Sequence, residues 1–211
     1  MNPQQFEQLK SSCNLIPLVR EVFADLDTPL SVYLKLANNP YSYLFESVQG
    51  GEKWGRYSII GLPCQSLLRI HGETITMERD GEVVETVEVA DPLAWIEEFQ
   101  GRFKVPDVPG LPRFTGGLVG YFGYDTIRYI EPKLAGTEKP DAINTPDILL
   151  MLSEEVVVFD NLSGKLYFIV MVKPQEEDAY ARGQSRIAQL EQQLRQNVPT
   201  YQPSTKSVEV N

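Results

Sequence analysis

YSYLFESVQGGEKWGRYSIIG, Tyr41 to Gly61, is the stretch from which the fold class is read. Two runs, Tyr41 to Val48 and Arg56 to Leu62, are rich in aromatic, β-branched and leucine positions and are separated by a break at Gly50-Gly51. The pattern predicts strand, loop, strand. A sheet alone does not call for the polar groups inside it: Glu46 and Ser47 where the first strand ends, then Lys53, Trp54 and Arg56 where the second begins. A carboxylate, a hydroxyl and a cation beside an aromatic ring suit a small zwitterion. The plainer account is an exposed pair of Glu46 with Lys53 or Arg56 across the turn, contributing about 0–1 kcal/mol, with Trp54 as core.

Outward from this stretch the chain reads as short helices and hairpins. Pro3 to Lys10 makes an amphipathic helix through Phe6 and Leu9, and Leu15 to Phe23 reads as extended, with Pro17 marking an edge strand. Thr28-Pro29 is a helix start, followed by Leu30, Tyr33, Leu34 and Ala37 at helical spacing. Thr74 to Arg79 and Glu82 to Val89 flank Asp80-Gly81, the dipeptide of a type I′ turn. Asp91-Pro92 opens a helix with Ile96, Phe99 and Phe103 on its buried stripe, and Lys104 to Pro112 is a loop. Ile148 to Phe159 and Lys165 to Val172 are two apolar runs around the hairpin turn Asn161 to Gly164; the second is apolar at almost every position and is expected inside a sheet. Gln175 to Gln196 is the longest helix, with Tyr180, Ile187, Leu190 and Leu194 on one stripe. The organisation is one domain over 1–196, then a linker or frayed tail over 197–211.

The whole chain, 211 residues and 42% hydrophobic, suits one domain with a tail. With 19 Lys and Arg against 29 Asp and Glu, the net charge of −10 repels phosphates and argues against nucleic acid or an anionic membrane as partner. Cys13, Cys64 and the single His71 follow no metal spacing, so no metal site is expected. The two cysteines read as reduced thiols, with a Cys13–Cys64 disulfide left open. MNPQQFEQLKSS has no signal-peptide pattern and no 18-residue apolar run occurs, so the expected location is cytoplasmic.

FTGGLVGYFGYDTIRYIE, Phe114 to Glu131, carries glycines at 116, 117, 120 and 123. A phosphate loop is excluded, because neither the G-K-[ST] ending nor the G-x-G-x-x-G order is present. Glycines spaced by three let one backbone approach another closely. Asp125 and Arg128, three apart, suit a local ion pair.

LFES, Leu44 to Ser47, followed by GGEKWGRYS, resembles the segment that opens component I of the anthranilate synthase family, where an LLES signature and a W-G-R-Y-S run line a tryptophan feedback site. Gly116, Gly117, Gly120, Tyr121, Tyr124, Asp125 and Arg128 fall on the GGxxGYxxYDxxR signature of that family and of aminodeoxychorismate synthase, where it packs the N-terminal half against the catalytic half. The resemblance implies an α+β fold of mostly antiparallel strands, eight or so, in two packed sheets with peripheral helices. It implies that Glu46 accepts from the tryptophan ammonium, Ser47 bonds its polar atoms and Arg56, or its rival Lys53, holds the carboxylate. Phe45 departs from the family's leucine and puts a ring beside that site. The family's acid, base and magnesium-binding residues lie in a C-terminal half, so no catalytic residue and no cofactor is expected in this portion. The implied partners are tryptophan, the C-terminal chorismate-binding domain and a glutamine amidotransferase subunit, with self-association through apolar surface when the C-terminal half is missing. The alternatives are the corresponding half of an aminodeoxychorismate synthase, or a scaffold without an effector.

Overall fold

The computed structural model describes residues 1–24, 26–46, 55–134 and 143–199. Asn2 caps the first helix, α1 (Pro3–Leu9): its Oδ1 accepts from the Gln5 amide at 2.8 Å while Gln5 Oε1 accepts from the Asn2 amide at 3.0 Å. After β1 (Ile16–Phe23), Thr28 and Ser31 form the same reciprocal cap on α2 (Pro29–Leu36). Then come β2 (Tyr43–Phe45), β3 (Tyr57–Gly61), β4 (Ser66–His71), β5 (Thr74–Arg79) and β6 (Glu82–Glu88). Asp80 and Gly81 at φ 53° and 81° turn β5 into β6, as the dipeptide predicts. Helix α3 (Pro92–Gly101), capped by Asp91, leads to β7 (Gly117–Phe122) and, after a 3-10 turn at Tyr124–Thr126, to the single turn α4 (Ile127–Ile130). The described chain ends in β8 (Ile148–Ser153), β9 (Glu155–Asp160), β10 (Lys165–Val172) and α5 (Ala179–Leu194).

These strands form two antiparallel five-stranded sheets. The first has the order β1-β10-β9-β3-β2 and the second β6-β5-β4-β8-β7. The α+β expectation holds, with β1 at an edge as Pro17 requires and β10 inside its sheet. Alternate residues of β10 are buried on opposite faces: Leu166 and Phe168 on one, Ile169 on the other.

The α5 side of the first sheet carries the largest core, where Leu18, Ile60, Val157, Leu166 and Phe168 meet Ile187 and Leu190. Each such side chain contributes about 1.5–3 kcal/mol on burial. Gly183 lets α5 settle this close, because a Cβ there would lie 2.5 Å from Leu18 Cδ1. A second core joins Leu68, Ile70, Ile75, Ile148 and Leu150 to Ile96 and Phe99 of α3. A third, on the other face of the first sheet, places Phe114 on Val156, Val158 and Ile169.

Three expectations are corrected. The run Ile148 to Phe159 is two strands in different sheets, because Glu154 interrupts it and the chain changes partner from β4 to β3 there. The strand expected from Tyr41 to Val48 is ordered as a strand only over Tyr43–Phe45, with Tyr41 in a turn at φ 58°; positions 47 and 48 lie outside the described residues. The last helix starts at Ala179 rather than Gln175, behind Asp178 in the left-handed region at φ 51°.

Candidate functional site

Strand β2 pairs with β3 through Tyr43↔Gly61, Leu44↔Ile60 and Phe45↔Ile59. This register brings the end of β2 to the start of β3, so Phe45 and Glu46 leave the sheet on the side where Arg56 enters it. Tyr43 anchors the strand: its ring lies over Gly61, where a Cβ would come within 1.9 Å of the ring, and its hydroxyl meets Ser153 Oγ at 2.8 Å. Burial pushes the Tyr43 phenol up to about 12, with the Ser153 hydrogen bond acting against it. The Phe45 ring sits 4.9 Å from that of Tyr43 and is 52% exposed, and Glu46 is exposed. Ser47 and Lys53, like Trp54, lie outside the described residues.

Arg56 is held in place. Its Nε donates to Asp160 at 3.1 Å (Oδ1) and 3.2 Å (Oδ2), its Nη2 donates to Oδ2 at 2.8 Å, and its Cζ lies 4.9 Å from the centre of the Tyr57 ring. The pair joins the carboxylate at the end of β9 to the first residue before β3, and Asp160 is fully buried. Among the described residues the ion-pair partner of Arg56 is therefore Asp160 and not Glu46; the other expected partner of Glu46, Lys53, lies outside the described residues. Asp160 also accepts from the amides of Leu162 at 3.1 Å and Ser163 at 3.3 Å. Burial alone raises the Asp160 carboxyl; the Arg56 hydrogen bonds, then those of Ser163 and Leu162, outweigh it and hold the group below its ordinary value. The hydrogen bond to Asp160 raises Arg56 in turn. Sequence reasoning missed Asp160, whose only signal was an Asp opening the Asn161 to Gly164 turn.

The glycine motif builds an edge. Gly116 and Gly117 adopt φ 145° and 133°, and a Cβ at Gly120 would lie 1.9 Å from the Leu149 carbonyl oxygen. Strand β7 thus rides against β8 at a separation that a side chain forbids. Tyr121 donates to the Pro146 carbonyl at 2.9 Å and Asp125 pairs with Arg128 at 3.1 Å, three residues on, as the spacing predicts. Asp147 ties the segment down, accepting from Tyr129 Oη at 2.7 Å and from the Gly72 amide at 2.8 Å. Beyond these ties the edge is apolar and open: Phe122 is 54%, Tyr124 94% and Ile130 65% exposed.

Cys13 and Cys64 are free thiols. Among the described residues no cluster of three or more His, Cys, Asp or Glu could hold a metal ion, and no helix is long and apolar enough to cross a membrane.

The model of the chorismate binding enzyme family matches residues 41–211, and the chain belongs to that family. Anthranilate synthase component 1 of Pseudomonas aeruginosa is 58% identical over 199 residues, 94% of this chain and 40% of that protein. The proteins of the same name from Neisseria meningitidis serogroup C and Aquifex aeolicus are 53% and 38% identical over 93% and 94% of the chain, which covers 41% and 40% of each. The crystal structure of anthranilate synthase component I from Streptococcus pneumoniae superposes with a TM-score of 0.54 at 25% identity, over 84% of this chain and 37% of that one. The resemblance read from LFES and GGxxGYxxYDxxR is thereby shown. The chain spans about two fifths of the length of these relatives.

Proposed function

We propose that the chain is the N-terminal, regulatory portion of an anthranilate synthase component I, a cytoplasmic enzyme of tryptophan biosynthesis that converts chorismate and ammonia or glutamine to anthranilate. The observation that carries this is 58% identity to such a component along 94% of the chain. The acid, base and magnesium-binding residues of the reaction then belong to the part of the enzyme that this sequence does not span, and none is assigned here. The three relatives named above carry the anthranilate rather than the aminodeoxychorismate name, which favours the first pathway.

The proposed effector is tryptophan. Exposed Glu46 accepts from its ammonium in a charge-assisted bond, Ser47 bonds its polar atoms, and Arg56, with Lys53 as rival, receives its carboxylate. What supports the site is the convergence of the end of β2, with Phe45 and Glu46, on the start of β3 at Arg56. The apolar edge of Phe122, Tyr124 and Ile130 is the proposed seat of the remaining part of the enzyme, with a glutamine amidotransferase subunit as further partner. Differential scanning fluorimetry and calorimetry with L-tryptophan test the regulatory part. At ten times the Kd the ligand adds about 1.4 kcal/mol to stability, a rise of about 3–5 °C in Tm, and Glu46→Gln reduces it. A folded chain that shows no shift and no heat at 10 mM ligand refutes the effector role; if it still captures the remaining part of the enzyme in a pull-down, the scaffold reading takes its place.

A further inference from the structure

We infer that Asp160 is a positioning residue of effector recognition, aiming one free edge of Arg56 at the ligand carboxylate so that the site selects ligands by that group. This rests on the effector reading above. A guanidinium carries donors along two forked edges, Nε with Nη2 and Nη1 with Nη2. Asp160 fills the first edge, with Nε at 3.1 Å and Nη2 at 2.8 Å. Nη1 meets no acceptor among the described residues, so the second edge is left complete, and the Arg56 side chain is 41% exposed. A second carboxylate, from a ligand, fits that edge in the same bidentate way.

The aim is fixed by what surrounds the pair. Asp160 pairs in register with Tyr57, directly beside Arg56. The turn that follows it grips the same segment: the Asn161 amide donates to the Arg56 carbonyl at 2.8 Å, and Asn161 Nδ2 reaches the Gly55 carbonyl at 3.3 Å and Ser58 Oγ at 3.1 Å. The Tyr57 ring under the guanidinium limits its remaining rotation. Lys165 lies opposite Asp160 in the ladder and is the natural competitor for its charge, yet its Nζ goes to Glu21 at 2.6 Å. The buried carboxylate is therefore free to orient Arg56, and a long flexible side chain becomes a fixed fork.

The test compares L-tryptophan with tryptamine, which lacks only the carboxylate, by calorimetry on the chain and on Asp160→Asn. The chain prefers L-tryptophan by about tenfold or more. Asp160→Asn brings that ratio near one, while circular dichroism shows the fold retained. Should the single variant fail to fold, Asp160→Glu, which keeps the charge opposite Arg56 but displaces the carboxylate by one methylene, is the readout: its ratio falls with Arg56 intact, and an unchanged ratio overturns the inference. A variant that melts earlier but keeps the ratio shows Asp160 to be a fastening of the turn only, and overturns the inference. If the unaltered chain binds no tryptophan, the effector reading falls and takes this one with it; if it binds with a variant-independent ratio, this one falls alone.

Discussion

Gly120→Ala tests whether the glycine motif exists for backbone contact. The added Cβ would stand 1.9 Å from the Leu149 carbonyl oxygen, 2.9 Å from its carbon and 3.0 Å from Leu150 Cα. All three are backbone atoms of β8, so no rotamer change relieves the clash. The oxygen contact falls 1.5 Å short of the 3.4 Å at which ordinary contact begins. Moving β7 by that amount takes N–H···O bonds from about 2.9 Å to well past 3.5 Å at the centre of its ladder with β8. Two or three such bonds, at about 1 kcal/mol each, agree with the usual 1–3 kcal/mol for overpacking and put the cost at about 3 kcal/mol. For a domain of this size that lowers Tm by about 6–12 °C, measured by circular dichroism melting. Gly101→Ala is the matched control: at the end of α3 its Cβ meets nothing within 4 Å, and the change stays within about 1 kcal/mol. A Gly120→Ala chain that melts within about 2 °C of both the parent and the control refutes the close-approach argument.

Three further outcomes follow from single contacts. Tyr43→Phe removes a hydroxyl bonded at 2.8 Å to a Ser153 that is 1% exposed, and costs about 1–2 kcal/mol in urea denaturation; adding Ser153→Ala costs little more, and fully additive losses would count against the bond. Burial, opposed by Ser153 and reinforced by Glu154 and Glu155, pushes the Cys64 thiol up to about 11, so at pH 8 its alkylation by iodoacetamide is about a hundredfold slower in the folded chain than in urea; equal rates by peptide mass spectrometry contradict this. Asp160 is held below its ordinary 3.8, so the folded chain binds fewer protons there than the unfolded one: its stabilisation is whole above that value and fades as pH falls through it. Urea midpoints of the parent and Asp160→Asn therefore converge from pH 5 to pH 3, and a constant gap refutes the linkage.

What was legible in the sequence is what is local. Asp80-Gly81 specifies its turn because both residues take positive φ, and Thr28-Pro29 specifies a helix start because Thr28 caps a free amide and Pro29 has no N–H to leave unpaired. The stripe Ile187, Leu190, Leu194 marks the buried face of α5 from spacing alone. The passage from β8 to β9 was not legible, since Ser153-Glu154-Glu155 is a brief polar interruption in an apolar run. Only pairing with β4 on one side and β3 on the other assigns the two halves to different sheets. The same limit applies at the candidate site. Glu46 and Arg56 stand out because charge at strand ends is visible in one dimension. Asp160, 104 residues beyond Arg56, reads as one more turn aspartate, and nothing local says that it is fully buried. Its importance follows from desolvation: a carboxylate taken out of water needs a cation and amides at hydrogen-bond distance, and the fold brings Arg56, Leu162 and Ser163 to it. A charged side chain that ends a strand can therefore be read as a candidate from the sequence, but the group that orients it is found only once the ladder that places them side by side is known.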